Sequence, residues 1–314
     1  METLLGLQEH QQLTDEQHTK IIRKEVQQAS KVIRAKYAFL KHQNSIGFLI
    51  FAISIAMILL SAVLYLKGTI GWIMVAISVA FWTSLLHELE HDLIHFMYFK
   101  KNKFMQDLMM LGVWLFRPMT INPWFRRDLH FHHHRVSGSK TDVEERGVTN
   151  GEKWGFKRLL TTADIFLGGV LRANIVRKDI IDAVKKGELP KEQALMFKKS
   201  KIYGMMPFTL ALYFIWYFFL IHYSIHYISV FFHLGYESSA FIQAQFKWIN
   251  PLVAILIFPN LLRMFCLHFI TSNMHYYGDV ESGNVMQQTQ VLNKWYFIPF
   301  QFFCFNFGST HAIH

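Results

Sequence analysis

Cysteine is nearly absent from this chain, with two among 314 residues, Cys266 and Cys304. Both sit in apolar stretches, which excludes a disulfide framework and leaves them as expected packing residues. Proline is also sparse, with seven scattered residues, and neither an internal repeat nor a low-complexity tract is present. Residues 1–44 are polar and charged, so no cleavable signal peptide is visible. Acidic residues are outnumbered, 22 against 32 Lys and Arg, for a net charge of +10. Nucleic acid is the usual partner of so basic a chain, but long uncharged runs argue against it here, and no nucleic-acid partner is expected.

Those runs are the other scarcity, a local lack of charge. Ile46–Leu66 carries none over 21 residues, Thr69–Leu86 none over 18, and Met205–Tyr236 none over 32. A fourth run begins at Ile249 and continues past Arg263 to about Ser272, with Pro259-Asn260 a candidate kink. A helix needs roughly 20 apolar residues to cross the hydrocarbon core, so four spans are expected, the third tilted or ending in an interfacial segment. With 52% apolar and 16% aromatic residues, the chain does not have the composition of an ordinary soluble enzyme. The expected fold is all-α and polytopic, four transmembrane helices beneath a cytoplasmic helical cap. Two regions follow, a cytoplasmic amphipathic segment over 1–44 and a membrane domain over 45–314. In the first, Thr14 with Gln17 forms a capping box, and Ile22, Val26, Ala29 and Ile33 share one helical face, suited to the membrane surface.

Charge orients the spans. Of the 32 basic residues, 21 lie from Lys100 to Lys201 and seven precede the first span, whereas Lys67 and Lys247 stand alone in the other connections. The positive-inside rule then places both termini and the central region in the cytoplasm.

Histidine falls in spaced sets near the ends of the spans and in the central region. His87 and His91 end the second span, and His130, His133 and His134 fall in the central region. His275 follows the fourth span, with His311 and His314 beyond it. Topology puts all eight on one membrane face. Neutral imidazole is the commonest metal ligand near neutral pH, and residues four apart on a helix are neighbours, so His87 and His91 can address one ion. His130, His133 and His134 fall within about 100° of arc at 3.6 residues per turn, with His132 on the opposite side. Eight such groups can hold more than one metal ion. His95 shares a face with His91, and His268 precedes His275 by two turns; either can serve as a ligand or a supporting donor. His222 and His226 lie about 25 Å along the third span, among aromatics of an interfacial belt.

These segments resemble the histidine boxes of the membrane fatty acid desaturase and hydroxylase superfamily. HELEHD (His87–Asp92) is similar to the first box, LHFHHHRVSG (Leu129–Gly138) carries the HxxHH second box, and SNMHYYGD (Ser272–Asp279) resembles the segment that adds a further histidine. STHAIH (Ser309–His314) looks like the start of a terminal HxxHH. The resemblance covers about residues 45–314. It implies that His87, His91, His130, His133, His134, His275, His311 and His314 bind two non-haem irons, with O2 as co-substrate. It implies a fatty acyl substrate, contact with membrane lipids, and a separate electron donor of ferredoxin or cytochrome b5 type, since no carrier domain is visible. The family's last box ends in two adjacent histidines, so the chain is expected to continue past His314 in its natural form.

An imidazole shell leaves iron free of bridging carboxylate charge and open to oxygen. Glu88, Glu90, Asp92, Asp128 and Asp142 can orient the rings by accepting their second N–H. The expected reaction is desaturation, with hydroxylation as the alternative, because both begin with hydrogen abstraction. HELEH also fits the zinc-protease signature HExxH, with Glu88 as general base, although that reading leaves the other histidine boxes without a role. The stretches Phe104–Phe116 and Phe156–Val176 are expected at the membrane interface.

Overall fold

The computed structural model describes residues 13–146, 153–276, 280–281, 284–305 and 307–311. Among them the regular structure is helical throughout, apart from one isolated bridge between His275 and Thr289. In chain order the helices are α1 (Asp15–Lys36), α2 (Gln43–Leu66), α3 (Trp72–Ile94), α4 (Lys103–Phe116), α5 (Pro123–Val136) and the short α6 (Val143–Arg146). Then come α7 (Phe156–Ala163), α8 (Ile165–Lys185), α9 (Lys191–Tyr203), α10 (Phe208–Phe231), α11 (Ala240–Leu252) and α12 (Phe258–Met274).

Four segments are long and apolar enough to cross a membrane: α2, α3, α10, and α11 with α12 as one 35-residue unit, Ala240–Met274. The third uncharged run is therefore a single helix that stops at Phe231. The fourth span is longer than expected. Its irregularity is a π-helical stretch, Val253–Ile257, set between Pro251 and Pro259. Proline removes a backbone donor and crowds the preceding turn, and a π-bulge absorbs the mismatch without leaving the helix.

In lipid, apolar side chains gain little by leaving the tails for each other, so spans associate through close packing of small residues and hydrogen bonds. The α2–α3 pair follows that rule. The buried positions of α2 are Gly47, Ser54, Ile58 and Ser61, and Ile58 packs in one cluster with Val75 and Val79 of α3. Ser61 Oγ and Ser78 Oγ share a hydrogen bond of 2.8 Å across the pair. At Gly47 a Cβ would lie 2.6 Å from the Tyr98 ring, so only glycine admits that ring. Helix α3, with Val75, Val79, Leu86 and Leu93 fully buried, and α12, with Ile270 and Met274, form the centre of the bundle.

The remaining helices pack on the end of the bundle where α3 and α12 finish. Asp164 caps α8 by accepting from the backbone of Phe166 (2.9 Å) and Leu167 (3.0 Å), and its other oxygen accepts from Tyr217 of α10 at 2.7 Å. Arg158 of α7 donates to the Ser272 carbonyl at 2.5 Å. Helix α1 keeps the expected Thr14–Gln17 capping box and has no buried residue; Asp15 accepts from Asn284 (2.8 Å) and Gln287 (3.2 Å). Cys266 and Cys304 are free and buried.

Candidate metal centre

Helix α5 carries the second box to the centre of the site. Asn122 starts it, its side chain accepting from Trp124 N at 3.0 Å with Pro123 in the first turn, a preorganised N-terminus. Within it His130 and His134 stand one turn apart, and their Nε2 atoms are 3.1 Å from each other. His95, just past the end of α3, brings its own Nε2 to 3.2 Å from that of His130. The His91 ring lies 4.8 Å from His95 and 4.9 Å from His130, centroid to centroid. These four histidines offer ligand atoms within 4.8 Å of one another.

A second group forms alongside. His133 of α5, His275 after α12 and His311 also bring ligand atoms within 4.8 Å of one another. The His133 and His275 rings are 5.3 Å apart, and His275 and His311 are 5.2 Å apart. His130 and His133, in different groups, are separated by 5.9 Å, so the two groups adjoin.

Carboxylates set the tautomers. Glu144 accepts from His130 Nδ1 at 3.0 Å, and Asp142 from His133 Nδ1 at 2.8 Å. With the proton held on Nδ1, His130 Nε2 carries a lone pair. The Nε2 atoms of His134 and His95 lie 3.1 Å and 3.2 Å from it, a spacing that suits ligands of one metal ion. Burial pushes His130 down to about 4 despite Glu144, and His275 down to about 3, so both are neutral near pH 7. At His133 burial also pushes downward, but Asp142, Glu144 and Glu145 outweigh it and raise the imidazole to about 10. Metal binding there releases a proton. Asp142 does two tasks, since its other oxygen accepts from Glu145 N at 3.3 Å at the start of α6.

A layer of charge lies behind. Glu90, fully buried in α3, is paired with Arg117 and, at 2.7 Å, with Arg126. Arg126 reaches Glu144 at 3.4 Å and the Nδ1 of His87 at 3.5 Å. The chain of contacts runs Arg117–Glu90–Arg126–Glu144–His130.

Of the eight histidines expected at the site, six lie in the two groups: His91, His130, His134, His133, His275 and His311. His87 lies outside both, among the described residues, and His95 stands where His87 was expected. The arc of α5 is divided, with His130 and His134 turned to one group and His133 to the other. His314 lies outside the described residues. His132 is a tie rather than a site member: Thr141 O accepts from its Nε2 at 2.9 Å, and Gln193 lies 3.0 Å from its Nδ1. His268 is buried in the wall of the adjoining cavity, outside both groups. His222 and His226 lie along α10, away from both groups, His222 against the Phe246 ring.

Among the acids, Asp142 orients a ring as expected, whereas Asp128 is exposed and Glu90 pairs with arginines. Glu144 is the orienting carboxylate that spacing missed. The place of His95 in this group had a signal, because His87, His91 and His95 form two overlapping pairs of equal spacing.

A cavity of about 820 Å³ opens beside the histidines. His91 and His130 of one group and His133, His275 and His311 of the other all line it, together with apolar residues of α5, α8 and α9.

A four-span helical membrane protein with paired histidine groups is the class that these features define. The family model described as fatty acid desaturase matches residues 69–314, and the chain belongs to that family of oxidoreductases. Neither a curated protein sequence nor a solved structure shows a significant match to the chain.

Proposed function

We propose that the protein is an O2-dependent di-iron desaturase that introduces a double bond into a fatty acyl chain. The observation that carries this reading is that members of both histidine groups line one cavity whose wall is largely apolar. In this reading His91, His95, His130 and His134 hold one iron, and His133, His275 and His311 hold the other with His314. The irons, when bound, supply the reduction of O2 that makes an oxidant able to attack an unactivated C–H bond. Glu144 and Asp142 keep His130 and His133 in the Nδ1–H form, so each ring presents Nε2 as a ligand atom. Arg126 holds Glu144 in place from behind and is itself held by Glu90. The apolar residues around the cavity exclude water and keep the acyl chain against the histidines.

Membrane insertion follows from the four spans. The cytoplasmic placement of the histidines and both termini rests on the distribution of Lys and Arg. Electrons are proposed to come from a separate ferredoxin- or cytochrome b5-type protein. The zinc-protease reading requires His87 and His91 to share one ion, and His91 instead converges with His95.

Two measurements test the proposal. Metal analysis of the purified protein in detergent should show iron well above zinc. Lipid analysis of cells expressing the gene should show a new double bond. Zinc alone in an active preparation would refute the reading, and a new hydroxyl in place of the double bond would move the assignment to hydroxylation.

A further inference from the structure

One side of the cavity is formed by helices α8 and α9. Helices α8 and α9 form a hairpin through the turn at 186–190. Val176, Ala183, Leu189 and Phe197 are buried together between them and α5, with Ile180 and Ala194 packed around. The lining residues of α8 run from Phe166 through Val170, Ala173 and Val176 to Ile180 and Ile181, one stripe of helical period. At 1.5 Å per residue that stripe is about 22 Å long, a groove suited to an extended chain.

Two cations interrupt this apolar wall. Arg177 follows buried Val176 on α8, and Lys198 follows buried Phe197 on α9; both line the cavity and both are exposed. They lie at similar distances from the turn, so in an antiparallel hairpin they face the same level of the groove. The nearest acid on α8, Asp179, is engaged by Arg146 Nη2 at 2.5 Å. Long cationic side chains keep their stems on apolar surface and their heads in water, which is the arrangement needed at a boundary between a chain tunnel and solvent.

We infer that Arg177 and Lys198 select an acyl substrate with an anionic head, holding its carboxylate or phosphate at the groove's rim while the chain lies against α8 and α9. This specifies the substrate of the site proposed above and rests on that reading. The shared chemistry is an oxyanion at the end of a long alkyl chain. Arg offers a bidentate fork to it and Lys a point charge.

The test is binding to the full-length protein in neutral detergent, read by displacement of a fluorescent anthroyloxy fatty acid, with no turnover required. Palmitate, a phosphatidylglycerol with palmitoyl chains, and uncharged hexadecanol are the competitors. The wild type should bind at least one anionic competitor more tightly than hexadecanol. Arg177→Gln with Lys198→Gln should weaken that competitor about fivefold, the scale of two exposed charge contacts, and leave hexadecanol unchanged. Whether palmitate or the phospholipid loses affinity identifies the head group.

Lys185→Gln with Lys186→Gln removes the same charge from exposed positions of the hairpin that do not line the cavity. It should change nothing. Equal binding of charged and uncharged competitors by the wild type, an unaffected Arg177/Lys198 variant, or an equal loss in the Lys185/Lys186 variant would each overturn the inference. Iron content and product analysis stand apart from this assay, so failure here is distinguishable from failure of the desaturase reading.

Discussion

His130 and His134, one helical turn apart on α5, bring their Nε2 atoms to 3.1 Å from each other, and Glu144 holds the Nδ1 of His130 at 3.0 Å. A ring fixed from behind in this way meets its neighbour with a lone pair, which accepts that neighbour's N–H or, when the neighbour is deprotonated there, shares a cation with it.

The same group sets a choice between two histidines. His95 belongs to it and His87 does not. His95→Ala should lower bound iron to about one of the two ions, since losing a ligand weakens one site and leaves the other intact. His87→Ala should keep nearly full iron. Metal analysis of the two purified variants decides this, and equal loss in both would return His87 to the ligand set.

Asp142 and Glu144 act behind the ligands. Asp142→Ala and Glu144→Ala should each weaken metal binding by about 10–100-fold, the usual effect of removing a carboxylate that orients a ligating imidazole. Competition with a chelator measures the change. Retained affinity in both variants would show that the rings need no such support.

Glu90 is buried between Arg117 and Arg126. Removing one partner of a buried pair strands the other charge, at a cost of about 3–5 kcal/mol. Glu90→Gln should therefore lower thermal stability in detergent sharply, because it leaves buried Arg117 without its carboxylate while Arg126 keeps Glu144. Glu90→Gln combined with Arg117→Met should recover part of the loss, because no unpaired guanidinium remains. A double variant less stable than the single one would contradict the pairing.

Reporter fusions test the sidedness. Fusions after Lys103 and Lys186 should report the cytoplasm, and those near Lys67 and Glu237 the opposite side. An outside signal at Lys186 would reverse the assigned orientation.

Much of this was legible in the amino-acid order alone. Long charge-free runs announce spans because a helix needs a set length to satisfy its backbone across lipid, and all four runs became helices. The gathering of histidines at one end follows from counting spans. The ends of the third run were less legible, because hydropathy does not show that α10 stops at Phe231. The fourth span's π stretch was likewise hidden, since a proline marks stress in a helix without saying how the backbone relieves it.

The site itself divides in the same way. Residue type and spacing determined that His91, His130, His134, His133, His275 and His311 would be drawn to one region. Only the tertiary structure shows that His95 joins the group around His91, while His87, at equal spacing on the other side, lines the cavity beside Arg126. Asp128 is two residues from His130 and Glu144 fourteen, yet Glu144 makes the contact. Residues two apart on a helix point away from each other, whereas the turn after Val136 returns the chain beside α5. Local spacing carries one helix's own geometry; the meeting of separate helices depends on packing that no local pattern contains.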